Sequence, residues 1–492
     1  MRFRSLLLPL LAGLASADVC DTIRGTTDIT VKDRWSLTFI KENLGYWSTR
    51  CAGMTPSCMI IPTTVEQVSQ AMQLLSASGE TFAIKSGGHN SNCGWSSVDG
   101  GPLLFMGEFN EVTLDKETET VRLGGGQKWG NVMEKLDGTG YAVVGGRMSD
   151  VGVGGFILGG GLSFLSTQYG WAANNVVEYE LVLANGTTTK ASADTNSDLF
   201  QALRGGGNNF GIVTTFVVKA HPIGKVWGGN YFFGDSPDTE KRLLAAMRDF
   251  AEYYPDPKAG VILTRQMGLG VVHVWTMFLF YDGEAPPAGL FDNFTAVDPV
   301  ADTTKARSYR DFIDTNNWGS SRGLVFTIGT ETFPNPDADH GAEVYSAVHS
   351  KWYAASKSIQ DVVGAVGVIA YQPIPRVMAR AARDRGGDML ALDDAADRIV
   401  LDINYGHLLP AQYDRIDATM VQTIEGIGET VRGLTAEGKL PDVARPLFMN
   451  DGFHTQDIFG RYGAKKKELA QKVSAAVDPE GILQKRTGGF KV

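Results

Sequence analysis

The chain has 492 residues, room for about two or three domains with substantial cores. Its 45 Lys and Arg against 55 Asp and Glu leave a net charge of −10. That balance disfavours a surface that tracks nucleic-acid phosphates. Arg2 and Arg4, an apolar core from Leu6 to Leu14 and the small residues Ala15-Ser16-Ala17 read as a secretory signal, with Asp18 as the mature start. The apolar run is too short to span a bilayer, so the expected product is secreted, with no membrane partner. Sequons at Asn185 and Asn293 agree with that route. Cys20, Cys51, Cys58 and Cys93 read as disulfide cysteines, and their spacing leaves three pairings open. No His or Cys stands at metal-ligand spacing, and no metal is expected.

A helix is expected over 63–78, opened by Thr63-Thr64-Val65-Glu66 and closed by Gly79. A short strand over 81–84 runs into Lys85-Ser86-Gly87-Gly88-His89-Asn90. Strands follow at 103–106, 112–114 and 120–123, then a Gly124-Gly125-Gly126 turn and a helix over 128–136. The stretch 151–186 organises the rest. Val151 opens it, and Gly152, Gly154, Gly155, Gly159, Gly160 and Gly161 follow within ten positions. Glycine at that density costs backbone entropy, so a close backbone approach must require it. Phe156, Ile157, Leu158, Leu162, Phe164 and Leu165 argue against a solvated linker. A strand over 176–183 ends at the turn Asn185-Gly186. After a helix near 197–203 comes a second glycine turn, 204–211, and a β-branched strand, 212–220.

Past Pro222-Ile223-Gly224 the texture changes. Helices are expected over 239–253, 341–357 and 411–434. Strands are expected over 261–266 and 271–281, joined at Leu269-Gly270, and over 363–370 and 398–405. A final helix over 464–477 stops at Asp478-Pro479. Hairpins and separated helices indicate α+β rather than strict βαβ alternation.

No dinucleotide-binding G-x-G-x-x-G follows a strand, and there is no P-loop, G-x-S-x-G elbow or H-E-x-x-H. The informative histidine is His89. It follows Ser86-Gly87-Gly88, whose consecutive backbone N–H groups form a concavity suited to a pyrophosphate.

The segment Ile84-Lys85-Ser86-Gly87-Gly88-His89-Asn90 resembles the flavin-attachment loop of the berberine bridge enzyme-like FAD-linked oxidases, in the vanillyl-alcohol oxidase superfamily. Further stretches match in order: the glycine segment 151–186; the turn 204–214, with Asn208 where glycine is usual; Tyr371-Gln372-Pro373-Ile374-Pro375; and Phe448-Met449-Asn450, Tyr462-Gly463 and Asp478-Pro479-Glu480-Gly481-Ile482-Leu483. The resemblance implies an α+β chain with a two-part PCMH-type FAD-binding domain over 18–223. A substrate domain, an antiparallel sheet covered by helices, would span 224–440, and 441–492 would return to the first domain, after a signal peptide of 1–17.

It further implies FAD as cofactor, held covalently through its 8α-methyl by His89. The site would draw on Lys85, Ser86, Gly87, Gly88, Asn90, Val151, Gly152, Gly154, Gly155, Gly159, Gly160, Gly161, Gly211, Ile212, Val213 and Asn450. Some members bind flavin a second time through a cysteine; here that place is Met148, so a single covalent link is expected. Asp451 stands where many members have tyrosine, which leaves the catalytic base open. Tyr405 and His407, sharing a strand face, are candidates to take the substrate proton, followed by Tyr371 and His454. Val151 holds the family's oxygen-gate position. Relatives place cysteines so that Cys20 would pair with Cys58; Cys51 and Cys93, just before the first helix and just after the flavin loop, are the candidates for a second bridge.

The implied function is a secreted, monomeric oxidase that passes a hydride from a small organic substrate to FAD, with O2 reoxidation giving H2O2. The alternatives are a flavoprotein that cyclises a secondary metabolite without net redox turnover, and a non-catalytic flavin-binding protein.

Overall fold

Local rules place most elements. Thr64 caps helix Val65–Ser78, accepting from Gln67 N, and Gln67 Oε1 accepts from Thr63 N at 2.8 Å. The cap thus lies one residue later than the Thr63–Glu66 box suggests. Gly79 closes the helix with φ +76°. This computed structural model describes residues 18–254, 256–268, 272–319 and 322–492. The signal segment 1–17 and the turn Leu269-Gly270 lie outside the described residues.

Disulfides join Cys20 to Cys58, as the resemblance implied, and Cys51 to Cys93, as their positions suggested. The first ties helix Val19–Thr26 to strand Cys58–Ile61, and the second ties helix Thr49–Ala52 to the loop after His89. Strands Thr30–Asp33, Cys58–Ile61, Leu103–Phe105 and Ala83–Lys85 form a four-stranded sheet in that order, parallel in its last two pairings. Its strand Ala83–Lys85 delivers the His89 loop.

A five-stranded antiparallel sheet follows, in the order Val112–Asp115, Thr120–Gly124, Ile212–Lys219, Val176–Val182 and Thr188–Ser192. Val121, Leu123, Tyr179 and Phe216 pack in its core with Trp129 and Val132 of helix Trp129–Leu136. The glycine stretch is not all loop: Gly152 caps a short helix, Val153–Leu158.

The largest sheet has eight strands. Its main order is Ala301–Asp302, Val226–Gly234, Val272–Tyr281, Ala259–Gly268, Val366–Ile374, Arg398–His407 and Val325–Pro334, with Lys305–Arg307 also on Val226–Gly234. One face buries Leu263, Met277, Ile369, Tyr371, Leu401, Ile403 and Tyr405 against helices Pro237–Glu252, Gly341–Ser358 and Tyr413–Ala436. Strands Val226–Gly234 and Val325–Pro334 were not anticipated. In the first, Gly228 and Gly229 interrupt the apolar alternation, but neighbours demand them: a Cβ on Gly228 would lie 2.6 Å from Phe312 Cε2.

The tail turns back. Asp478 accepts from Ile482 N and Leu483 N at 2.8 and 2.7 Å, which starts helix Ile482–Arg486. Arg486 then donates to Ser76 O at 2.6 Å, and Asn209 Nδ2 donates to Phe490 O at 2.9 Å.

Candidate functional site

The His89 loop and the glycine stretch meet backbone to backbone. A Cβ on Gly152 would stand 2.6 Å from Gly87 N, so a side chain at either position would force the segments apart. Ser86 Oγ donates to Gly125 O at 2.6 Å, and Gly125 N donates to Thr214 O at 2.8 Å. Three glycine-rich segments and the start of strand Ile212–Lys219, with Gly211, Ile212 and Val213, therefore converge. Val151 O accepts from Trp129 N at 3.0 Å, which holds the segment before Gly152 against the helix that follows the Gly124 turn. Val151 itself is half-buried.

Lys85 does not face this cradle. It is buried beneath the loop and donates to Glu42 O at 2.6 Å; burial lowers its ammonium to about 8. Gly88 O accepts from Trp47 N at 3.1 Å, and Asn90 Oδ1 accepts from Asn92 N at 2.7 Å, so both shape the loop.

His89 is clamped. Its ring stacks on Trp47 with centroids 4.6 Å apart and planes 15° apart, and Trp47 stacks in turn on Phe326 of the large sheet. Nδ1 lies 4.0 Å from Asp150 Oδ1. Burial lowers the imidazole to about 4; Asp150 opposes this, while Lys128 and Arg322 add to it. The ring is neutral at physiological pH, with a lone pair free for bonding.

Asn450 closes the far end of the glycine wall. Its Oδ1 accepts from Gly161 N at 3.1 Å, and its Nδ2 donates to Gly155 O and Phe156 O, each at 3.2 Å. Gly161 sits at φ +76°, which favours glycine. A Cβ on Gly159 would meet Asn450 Nδ2 at 2.6 Å, while Gly160 lies against Leu390 and Phe448. Ser86 Oγ lies where a Cβ on Gly154 would reach.

The next residue, Asp451, enters a half-buried polar cluster on the face of the large sheet opposite the helices. Gln372 Nε2 lies 3.4 Å from Asp451 Oδ2, and Asn404 Nδ2 donates to Asp402 Oδ1 at 2.7 Å. Gln372 Oε1 and Asn404 Oδ1 have no partner. Burial pushes Asp451 up to about 6, against the pull of Arg147 and Gln372. Asp402 is raised well above the usual carboxylate range by burial and by Asp451. Arg147, four residues before Val151, interacts with both carboxyls.

The other sequence candidates fall elsewhere. Tyr371 OH pairs with His349 Nδ1 at 2.9 Å and Tyr405 OH with Thr423 Oγ1 at 2.9 Å, both under the helices. His407 packs against Tyr413 on the same face. His454 lines a separate cavity of about 280 Å3 with Arg50, Trp95 and Asp417. Arg147, Gln372, Asp402 and Asn404 were missed. The signal for two of them was the alternation of strand 398–407, where Leu401, Ile403 and Tyr405 turn one way and Asp402 and Asn404 the other.

A family model for the FAD binding domain matches residues 56–192. An uncharacterized FAD-linked oxidoreductase of Arthroderma benhamiae is 40% identical over 454 residues, covering 92% of this chain and 90% of that protein. The FAD-dependent monooxygenase FUP4 of Fusarium proliferatum is 31% identical over 461 residues, covering 91% and 87%. Among solved structures, a glucooligosaccharide oxidase from Acremonium strictum, described with a 6-S-cysteinyl, 8α-N1-histidyl FAD, shares the fold. Its TM-score is 0.73 at 19% identity, covering 94% of this chain and 98% of the other. The fold and the glycine cradle define an FAD-binding protein. The chain belongs to the FAD-linked oxidoreductases, as its berberine bridge enzyme-like motifs implied.

The residues present fit the cofactor. Gly87 on Gly152 and Gly159 on Asn450 pack the segments that the family motifs assign to FAD into one wall, and the clamped imidazole of His89, the ring that would carry the flavin, stands at its Gly152 end.

Proposed function

We propose that this chain is a secreted FAD-dependent oxidase that takes a hydride and a proton from a small organic substrate and forms H2O2 from O2. The observation that carries the reading is the joint placement of His89 and a half-buried carboxyl pair, Asp402 and Asp451, at the two ends of one glycine wall. FAD, when bound, supplies the hydride acceptor and the reaction with O2. His89 holds it through a ring nitrogen, and Met148 offers no second nucleophile. The backbone of the Ser86–Gly88 loop and of Gly152 would hold the cofactor's pyrophosphate, and Asn450 keeps the wall in shape.

Asp451 takes the substrate proton. A base with pKa near the working pH transfers protons most effectively, and burial brings Asp451 into that range. Burial, and then the neighbouring Asp451, raise Asp402 above the usual carboxylate range. Arg147 keeps Asp451 ionised. The role passes from Tyr405, His407 and Tyr371 to Asp451 because those three belong to the helix-covered face. Val151 leaves O2 access. The two disulfides support passage through an oxidising compartment.

A panel of sugars, alcohols, amines and phenolic metabolites, read by H2O2 release and by flavin bleaching without oxygen, tests this. Bleaching followed by H2O2 release is expected. Product formed without bleaching would point to the cyclase alternative, and bleaching without H2O2 in air would exclude an oxidase.

A further inference from the structure

The face of the large sheet opposite the helices is a trough with two unlike ends. One row of paired residues crosses it: Phe232 pairs with Thr276, Thr276 with Thr264, Thr264 with Ala370, and Ala370 with Asp402. In the neighbouring rows Phe278 pairs with Ile262, and Val368 with Asn404. Ile262, Thr264 and Val368 are half-buried, while Leu263 and Ile369 beside them are buried under the helices. Three strand spacings, about 14 Å, separate the strand of Phe278 from that of Asp402.

The end away from the carboxyls is aromatic. Trp318 stacks on Phe278 with centroids 5.6 Å apart and planes 7° apart, and its centroid lies 5.7 Å from that of Phe232. One indole face rests on Phe278, yet Trp318 is 45% exposed. The turn Asn316–Gly319 that carries it is latched to the cofactor side. Asn317 Oδ1 accepts from Ser149 N at 2.9 Å, and Ser149 Oγ donates to Asp314 Oδ1 at 2.6 Å. Ser149 lies between Val151 and Arg147, the residue that interacts with Asp402 and Asp451.

The floor selects what fits between these ends. Strands Ala259–Gly268 and Val366–Ile374 turn Ile262, Thr264, Gln266, Val368 and Ala370 towards it, and none is charged. A saccharide would lay its hydroxyls on Ile262, Val368 and Ala370, where they find no partner. A flat ring instead gains from offset stacking on Trp318, and a few polar groups at one end of an apolar pocket fix a ligand's orientation.

We propose that the substrate is an aryl compound whose ring stacks on Trp318, with Trp318 setting the specificity. Its alcohol or amine carbon then lies at the carboxyl end, giving the hydride to FAD and the accompanying proton to Asp451. The carboxyl end of this assignment rests on the oxidase reading; the aromatic end does not. The test is calorimetric titration of the holoprotein with phenylbutanol, its cyclohexylbutanol isostere and cellobiose. Wild type should bind the aryl alcohol about two- to ten-fold tighter than the isostere, the value of one aromatic pair beyond its buried area, and cellobiose more weakly than either. Trp318→Ala should abolish the aryl preference, and Trp318→Phe should keep most of it. Trp35→Ala, which removes an indole 77% exposed elsewhere, should leave it unchanged. No aryl preference in wild type, a preference that survives Trp318→Ala, tighter binding of cellobiose, or no binding of any probe would each overturn the proposal. Because binding is read without turnover, the two readings fail separately. A Trp318-dependent aryl preference without flavin bleaching would strike the oxidase reading and leave the aryl site. Bleaching by cellobiose in wild type and Trp318→Ala alike would strike the aryl site and leave the oxidase.

Discussion

The two faces of the large sheet treat buried polar groups differently. Under the helices, Tyr371 meets His349 at 2.9 Å, His349 Nε2 meets Arg265 at 2.7 Å, and Arg265 reaches Asp235 at 2.8 Å and also Glu240. That chain runs from an apolar core out to half-buried carboxylates. On the opposite face, Gln372 Oε1 and Asn404 Oδ1 lack partners, and Asp451 lies close enough to raise Asp402. Unpartnered buried atoms occur on both faces, Arg265 Nε and Trp275 Nε1 under the helices among them, so it is the raised carboxyl pair that marks the opposite face as the candidate site. The linked network under the helices is architecture; the open one is the candidate site.

The contrast can be broken by substitution. The largest expected effect is all-or-none: His89→Ala should release every flavin into the supernatant on acid precipitation, whereas the wild-type pellet stays yellow and its His89 peptide carries the mass of FAD. A colourless wild-type pellet would remove covalent attachment from the account. Next, Asp451→Asn should lower kcat/KM by about 10²–10⁴-fold. The pH dependence has a definite sign. Asp451 is raised to about 6 and accepts a proton only as carboxylate. Wild-type kcat/KM should therefore climb with pH up to about 6 and flatten above, and Asp451→Asn should lose that limb. Val151→Leu should reduce normally with substrate but reoxidise several-fold more slowly in stopped flow. The smallest kinetic effects belong to the helix-covered face. Tyr371→Phe and Tyr405→Phe should each leave kcat/KM nearly unchanged while costing about 1 kcal/mol of stability in denaturant unfolding, the value of one buried hydrogen bond. A large kinetic loss there, with little lost at Asp451, would reverse the assignment of the faces.

Much of this was legible in the chain. The glycine segment, the His89 loop, the disulfide pairs and the helix-covered antiparallel sheet all carry local or family signals. The proton acceptor was harder, for a geometric reason. Tyr405 and His407 do share a strand face, as alternation requires, but alternation alone does not say which face meets helices. The aliphatic company of Leu401 and Ile403 gives it, because that set must be buried against an apolar layer. Arg147 had no local signal at all. It reads as a loop residue until the fold sets Asp402 and Asp451, distant in sequence, beside it.

The most direct test of the contrast needs no substrate. A pH titration of flavin absorbance in the holoprotein reads any charge that changes beside the cofactor. Wild type and Tyr405→Phe should both show a transition near pH 6, from Asp451; in Asp451→Asn it should vanish or move by more than about one unit, as expected for a coupled pair. An unchanged transition in Asp451→Asn, or its loss in Tyr405→Phe, would contradict the placement of the site on the open face of the sheet.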